Sequence, residues 1–423
     1  MYETAERKER FILIAVEEDG TDSETNLNEL SLLVDTAGAE EVERIVQKRD
    51  GKHPSLYLGK GKLDEVAALI DAMDADGVVA DDELSPAQQR NLAQKLNVKV
   101  LDRTMVILDI FAQRAQTSEG KAQVELAQLK YSLSHLTGMG INMSRQAGVA
   151  AHGGVGNRGP GEKKLELDRR YIRSRIDQLN KELKEIRENR ALLRKKRTRQ
   201  AVPVVALVGY TNAGKSTLLN ALTGAGVLAE NKLFATLDTT TRNMQLPDGG
   251  AEILLTDTVG FINKLPHHLI QAFRATLEET RFADILLHVV DASSPHAKSQ
   301  ISTVYDTLQS LECMDKPLIT VLNKIDAVED EASIPADERA LQTVQISAQN
   351  GTNVPALLKA VEEVLDSTRA KVKVLIPYTK GAIVSQIHAT CKVISSENLE
   401  DGTLLELYAT GEILERTREF QVA

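Results

Sequence analysis

Cysteine is almost absent from this chain of 423 residues, which holds only Cys313 and Cys391. The two lie far apart and fit no C-x-x-C spacing, so they read as core residues rather than as metal ligands or a disulfide pair. Long apolar runs are also missing. Nothing reaches membrane-spanning length, and the polar start (Met1 to Lys8) leads into a strand-length run, Phe11 to Val16, so no secretory leader is expected. The eight histidines are scattered, and the His267-His268 pair opens a helical pattern and reads as no metal site. Overall charge is modest, with 51 Lys+Arg against 61 Asp+Glu giving −10, ordinary for a cytoplasmic protein. The length allows two to four domains. Outside one central region there is neither a cysteine nucleophile nor a metal-ligand cluster. That argues against an enzyme acting on a small molecule or RNA base.

The central region holds Gly209-Tyr210-Thr211-Asn212-Ala213-Gly214-Lys215-Ser216-Thr217. The apolar run Val204–Val208 precedes it as a buried strand. Leu218, Leu219, Ala221 and Leu222 follow at helical spacing. A glycine-rich loop between strand and helix lets successive N–H groups and a helix N-terminus point at phosphates. Lys215 can then reach the β- and γ-phosphates, and the Ser216 hydroxyl can ligate Mg²⁺.

The base is read further on, where the strand Pro317–Leu322 ends in Asn323-Lys324-Ile325-Asp326. The Asp326 carboxylate can accept from guanine N1–H and the exocyclic amine together. Adenine would leave it unpaired, at a cost of roughly 1–3 kcal/mol or more. Asn323 would brace the loops, and the Lys324 stem would lie along the base. Ser347 and Ala348, in Gln345-Ile-Ser347-Ala348-Gln349, could offer backbone groups to guanine O6.

Two segments between these motifs read as switches. In Asp257-Thr258-Val259-Gly260, Asp257 would hold Mg²⁺ through water, and the Gly260 N–H would meet the γ-phosphate. In Phe234-Ala235-Thr236-Leu237-Asp238-Thr239-Thr240-Thr241-Arg242, one threonine should complete the Mg²⁺ shell. Thr236 is preferred, although spacing leaves Thr239, Thr240 and Thr241 open. Lys215, Thr236 and Gly260 are the candidates for catalytic contact with the reacting phosphate, and Ser216 and Thr236 for metal ligation. In order, the motifs spell a Mg²⁺-dependent GTPase that turns GTP into GDP. Strands alternate with helical patterns, as a mostly parallel sheet covered on both faces requires.

The expected fold class is α/β with four parts. Residues 1–105 read as a small N-terminal α/β domain. Residues 106–200 read as a long helical hairpin with a glycine-rich basic tip, 201–369 as the GTPase domain, and 370–423 as a small α+β domain. Predicted helices in the first part are Asn28–Thr36, Leu63–Met73 and Ser85–Leu96. In the hairpin, Ala122–Leu133 shows helical spacing, eight glycines lie between Thr137 and Gly161, and a heptad seam follows on Leu165, Ile172, Ile176, Leu179, Leu183, Ile186 and Leu193. From Glu162 to Arg199 there are fifteen Lys/Arg against seven Asp/Glu, and the tip adds Arg145, His152 and Arg158. Such local excess is the footprint of a polyanion partner. With only Tyr131 and Tyr171 as aromatics between Ala122 and Arg199, phosphate contact with structured RNA is favoured over base stacking.

The chain resembles the HflX family of ribosome-associated GTPases over nearly its whole length. The resemblance rests on Gly153-Gly-Val-Gly-Asn-Arg158-Gly-Pro-Gly161-Glu162 leading into Leu165-Glu-Leu-Asp168-Arg169-Arg170, on Phe234–Arg242, and on Phe261. It implies Thr236 as the Mg²⁺ ligand and binding to the large ribosomal subunit and its RNA through the basic segment 140–199. It also implies GTP-dependent splitting or rescue of stalled or idle ribosomes. ATP binding by the N-terminal region is implied as well, for which Lys60 and Lys62, in Gly59-Lys-Gly-Lys62, are the nominated positions. Thr239 and Asn353 stand where the family commonly has proline and glycine. The expected protein is a cytoplasmic monomer, with peripheral membrane attachment left open. The alternative is a ribosome-assembly or RNA-binding factor that uses GTP as a conformational ligand.

Phe261 occupies the position where many GTPases carry a water-orienting glutamine. The isolated protein should therefore turn over GTP slowly and accelerate with a partner. Phosphate release measured with and without candidate partners checks this, and rapid partner-free turnover would defeat it.

Overall fold

In a computed structural model, the chain is described for residues 7–422 apart from 21, 148–159, 201, 225–232, 248–251, 267, 268, 270–278, 331, 333, 369 and 410. The basic tip with His152 and Arg158, and the His267-His268 pair, lie outside the described residues, as do the side chains of Arg145, Leu165 and Leu193. Packing divides the chain into two units. The first is Met1–Glu185 with two short additions, Lys232–Phe234 and Asn263–Phe273, and the rest forms the second.

The first unit begins with β1 (Arg10–Glu17), α1 (Ser23–Thr36), β2 (Glu40–Lys48), α2 (Lys60–Met73), β3 (Gly77–Ala80), α3 (Pro86–Leu96) and β4 (Lys99–Asp102). The strands form a parallel sheet in the order β2-β1-β3-β4. Residues Phe11–Val16 of β1 are all buried, because a parallel strand covered on both faces needs an unbroken aliphatic run. The start of α3 is locally encoded. Ser85 accepts from the Gln88 N–H, the Gln88 side chain returns the bond, and Pro86 occupies the first turn.

Helix α4 (Arg103–Arg114) is a separate helix that the hairpin reading of 106–200 does not single out. Its apolar residues, including Val106, Ile107, Leu108, Ile110 and Phe111, are buried, and such a dense run hides the helical period. Asp102 organises this region. Its carboxylate accepts from the Leu84 N–H at 3.0 Å, from the Met105 N–H at 2.9 Å as the cap of α4, and from the Tyr131 hydroxyl at 2.9 Å. Burial raises the Asp102 pKa, and these three bonds oppose it. Tyr131 belongs to α5 (Ser118–Ala147), so one carboxylate ties β4, α4 and α5 together.

Helix α6 (Pro160–Gln200) runs back along α5. Arg175 makes a two-pronged ion pair with Glu125, at 2.6 and 2.8 Å, and Arg169 donates to the Leu136 carbonyl at 2.9 Å. Leu179 and Leu183 of the heptad seam are buried. The glycine connector is shorter than its sequence suggests, because α5 continues through Gly138 and Gly140 to Ala147. A glycine costs a helix about 1 kcal/mol, which a long cooperative helix absorbs.

The second unit contains β5 (Val204–Gly209), α7 (Lys215–Thr223), β6 (Thr240–Gln245), β7 (Glu252–Asp257), β8 (Ile285–Asp291), α8 (Ala297–Ser310), β9 (Leu318–Asn323), β10 (Gln342–Gln345) and α9 (Val354–Thr368). The sheet order is β10-β9-β8-β5-β7-β6, parallel except for β6. The polar strand β6 carries no signal in the sequence. It forms by pairing with β7, where the Thr241 and Thr256 hydroxyls meet at 3.0 Å, and its exposed face carries no apolar alternation. A three-stranded antiparallel sheet ends the chain, with β11 (Ala370–Ile376), β12 (Lys392–Leu399) and β13 (Gly402–Ala409) in the order β11-β13-β12. Helices α10 (Gly381–Thr390) and α11 (Gly411–Arg416) accompany it. The α/β class with a mostly parallel GTPase-type sheet is as the sequence implies. Among the described residues no helix is long and apolar enough to cross a membrane.

Asp102→Ala should destabilise the N-terminal unit by about 3 kcal/mol, because it removes a helix cap and strands a buried tyrosine hydroxyl. Denaturant unfolding followed by hydrogen exchange of α4 and α5 would measure it.

Candidate functional site

The loop between β5 and α7 is shaped by contacts that its sequence demands. Gly214 sits at φ +94°, and a Cβ there would collide with the Asn323 side chain. Gly260 approaches so closely that a Cβ would lie 2.9 Å from Thr211 Cα and 3.0 Å from Lys215 Nζ. The Thr211 N–H donates to the Phe261 carbonyl at 2.7 Å, and the Phe261 N–H donates to the Gly209 carbonyl at 3.0 Å. Gly209, Tyr210 and Thr211 are thus stitched to the end of the segment running through Thr258, Val259 and Gly260. Asn212 adopts φ +62° and Ala213 is buried. Ser216 and Thr217 open the first turn of α7.

Lys215 is buried, its ammonium donating to the Gly209 and Tyr210 carbonyls at 3.1 and 2.8 Å. Burial pulls its pKa down to about 8, and the Asp257 charge resists that fall. Asp257, equally buried, is pushed up by desolvation. Lys215, the Ser216 and Thr236 hydroxyls and the Thr258 N–H act against that rise. Ser216 Oγ donates to Asp257 Oδ2 at 2.8 Å, whereas Oδ1 is buried and completes no hydrogen bond. Thr258 Oγ1 donates to the Leu207 carbonyl at 2.6 Å, fixing the end of β7 against β5.

The Thr236 hydroxyl faces Asp257, whereas Thr240 and Thr241 lie in β6, where Thr240 is the register partner of Asp257. Two hydroxyls and a carboxylate with one uncommitted oxygen make an oxygen set suited to Mg²⁺, which keeps its remaining positions for phosphate and water. Ala235 and Asp238 are half-buried and Leu237 is buried. Phe234 is placed differently, with its ring in the first unit against Phe111, so its side chain is not available to a nucleotide.

On the base side, Asn323 is 2% exposed and bridges two loops. Its Nδ2 donates to the Ala213 carbonyl at 2.9 Å, and its Oδ1 accepts from the Ala348 N–H at 2.9 Å. The Ala348 N–H, expected to face guanine O6, is paired here with Asn323, as a buried amide must be paired. Ser347 is buried, and its Oγ accepts from the Asn350 N–H at 3.2 Å, closing the turn that contains Gln349. Asn353, standing where the family pattern has glycine, takes φ +57°, which asparagine tolerates. Lys324 Nζ pairs with Asp291 Oδ2 at 2.7 Å, which fixes the stem. Asp326 is exposed in the short turn Ile325–Ala327.

Sequence reasoning missed Asp291, although an acid ending a buried strand was a usable signal. It also missed a buried polar cluster on β8 and β9, where Asp337 accepts from Tyr305 and Thr320 hydroxyls at 3.0 and 2.6 Å beside buried His288. Phe261 is 1% exposed with both backbone groups engaged, so it can neither swing nor hold water. Of the positions nominated for ATP, Lys60 is exposed and Lys62 is already paired with Glu65 at 3.0 Å.

Three family models match in succession. They are described as GTP-binding GTPase N-terminal over residues 24–112, GTP-binding GTPase Middle Region over 114–197, and 50S ribosome-binding GTPase over 204–324. The chain is 50% identical over 414 residues to a GTPase HflX of Lacrimispora saccharolytica, covering 98% of this chain and 96% of that one. To the GTPase HflX of Escherichia coli it is 41% identical over 406 residues, covering 96% and 94%. A crystal structure of a GTP-binding protein from Sulfolobus solfataricus in complex with GDP aligns at 22% identity and TM-score 0.43, covering 85% of this chain and 99% of that one.

Asp326→Asn should move preference from guanosine toward xanthosine nucleotides, because the amide offers a donor where guanine also has one. Competition binding reads this directly, and undiminished GTP selectivity would remove Asp326 from the base site.

Proposed function

Because this chain belongs to the HflX family of GTPases, we propose that its GTP hydrolysis switches a factor that binds the large ribosomal subunit and splits or rescues stalled and idle ribosomes. The chain is a GTP-hydrolysing enzyme. The observation that carries the switch is the convergence of Ser216 and Thr236 on Asp257, beside buried Lys215. Mg²⁺, when bound with the triphosphate, supplies charge neutralisation of the β- and γ-phosphate oxygens. Ser216 and Thr236 would hold it, with Asp257 behind them.

The protein's own groups divide the remaining work. Lys215 lends a positive charge to the β- and γ-phosphates, from a site so dry that the interaction is hardly screened. The Gly260 N–H meets the γ-phosphate, so Thr236 and Gly260 are engaged only while that phosphate is present. Asp326 selects guanine, and Asn323 keeps the base loops registered on the phosphate loop. Buried Phe261 leaves water orientation to a group supplied from outside, which fits stimulation by a ribosome.

The ribosomal contact is assigned to the basic face of α5 and α6 within 140–199. Arg170, Arg173 and Arg187 are exposed there. Arg169 is not a free contact, since it donates to the Leu136 carbonyl and holds the hairpin together. The family model matched over residues 204–324, described as ribosome-binding, supports a ribosomal partner. The protein would act as a monomer in the cytoplasm.

Sedimentation against ribosomal subunits, with GDP or a non-hydrolysable GTP analogue, tests the proposal, and co-sedimentation indifferent to nucleotide would sink it. Replacing Arg170 and Arg173 by Gln should cut ribosome affinity about tenfold at moderate salt, shallow its salt dependence by about two phosphate contacts and leave nucleotide affinity unchanged.

A further inference from the structure

Two short pieces of chain next to the candidate phosphate contacts pack as members of the first unit, Lys232–Phe234 and Asn263–Phe273. Phe234 precedes Thr236 by two residues, and Lys264 follows Gly260 by four. The Phe234 ring is 2% exposed and meets Phe111 of α4 edge-on, with centroids 4.8 Å apart. Lys264 Nζ is ion-paired with Asp81 and, at 3.1 Å, with Asp82, the two carboxylates that follow β3. Asn263 Nδ2 donates to Asn26 Oδ1 on α1 at 3.0 Å, and its Oδ1 accepts from the Lys264 N–H at 2.9 Å. Lys264 itself stands at φ +53°, a conformation that a lysine adopts only where its surroundings enforce it.

The charges around this ammonium are linked to one another. Asp81 also binds Arg103 at 2.9 Å, and Arg103 reaches Glu29 as well. Asp82 also takes Lys52 at 2.9 Å and the Tyr57 hydroxyl at 2.8 Å. Burial alone would raise Asp82, yet Lys264 and Lys52 hold it below the usual carboxylate range. Without Lys264, this largely buried acidic pair would lose a balancing charge, a costly state for groups out of water.

We propose that Asp81 and Asp82, acting through Lys264, and Phe111, acting through Phe234, are positioning residues for GTP hydrolysis that hold the Thr236 and Gly260 segments in the arrangement a γ-phosphate requires. With both anchors made, Thr236 faces Asp257 and Gly260 lies against Lys215. A ligand favours whichever arrangement it binds better, and the coupling is reciprocal. The anchors therefore add to affinity for the triphosphate. The diphosphate, which engages neither Thr236 nor Gly260, gains nothing from them. This rests on the reading of both segments as γ-phosphate sensors.

The test uses the full chain as wild type, Lys264→Met, Lys264→Arg and Thr236→Ala, titrated with GDP and with a non-hydrolysable GTP analogue and assayed for KM and kcat. Lys264→Met should weaken the analogue about tenfold, leave GDP within about twofold and raise the GTP KM to match, within the usual range of coupling between sites. Lys264→Arg, which keeps the charge, should restore the analogue's affinity. Thr236→Ala examines the underlying reading separately, and if it too leaves the analogue's affinity intact, that reading fails and the proposal with it. Where Thr236→Ala behaves as expected, equal weakening of both nucleotides by Lys264→Met, no weakening at all, or failure of Lys264→Arg to restore binding overturns the anchoring role.

Discussion

A buried ammonium beside a buried carboxylate, Lys215 and Asp257, is the constraint from which the rest of the nucleotide site follows. Neither charge is cheap to hold away from water, and each shifts the other's protonation against the pull of burial. The costs are met by geometry. Lys215 rests on two loop carbonyls, and Asp257 takes the Ser216 hydroxyl. Those contacts require a loop that bends back over the first turn of α7, hence Gly214 in the left-handed region. They also require a neighbour without a side chain, hence Gly260. The charge that makes the site attractive to phosphate is the same charge that dictates its backbone.

The base side obeys a different rule, that of pairing every buried polar group. Asn323 accepts from one loop and donates to another, so the Ala213 and Ala348 loops are held together through one side chain. Asp326 remains at the surface, where a recognising carboxylate must be if the base is to reach it. The parallel strands β5, β7, β8 and β9 end at this edge, as open α/β sheets place their ligands. The two switch segments differ from this frame, because each has a member whose side chain is spoken for in the N-terminal unit.

Most of the chemistry is legible in the order of the residues alone. The phosphate loop, Asp257, Gly260 and the Asn323-to-Asp326 run are contiguous motifs, and contiguous motifs survive in one dimension because their geometry is local. Helices with their own caps are legible for the same reason, as Ser85 and Gln88 show for α3. Elements that exist only through partners are not. Strand β6 needs β7, α4 hides in an unpatterned apolar run, and α5 overrides its glycines by length.

The sequence by itself determined the nucleotide, the loop that cradles it and the basic excess of the hairpin, since each depends on residue type at short spacing. Only the tertiary structure decided that the Thr236 hydroxyl faces Asp257, that the Ala348 N–H is paired with Asn323, and that Lys264 answers to Asp81 and Asp82. Those decisions join residues far apart in the chain, where burial forces every charge and amide to find a partner that spacing cannot name.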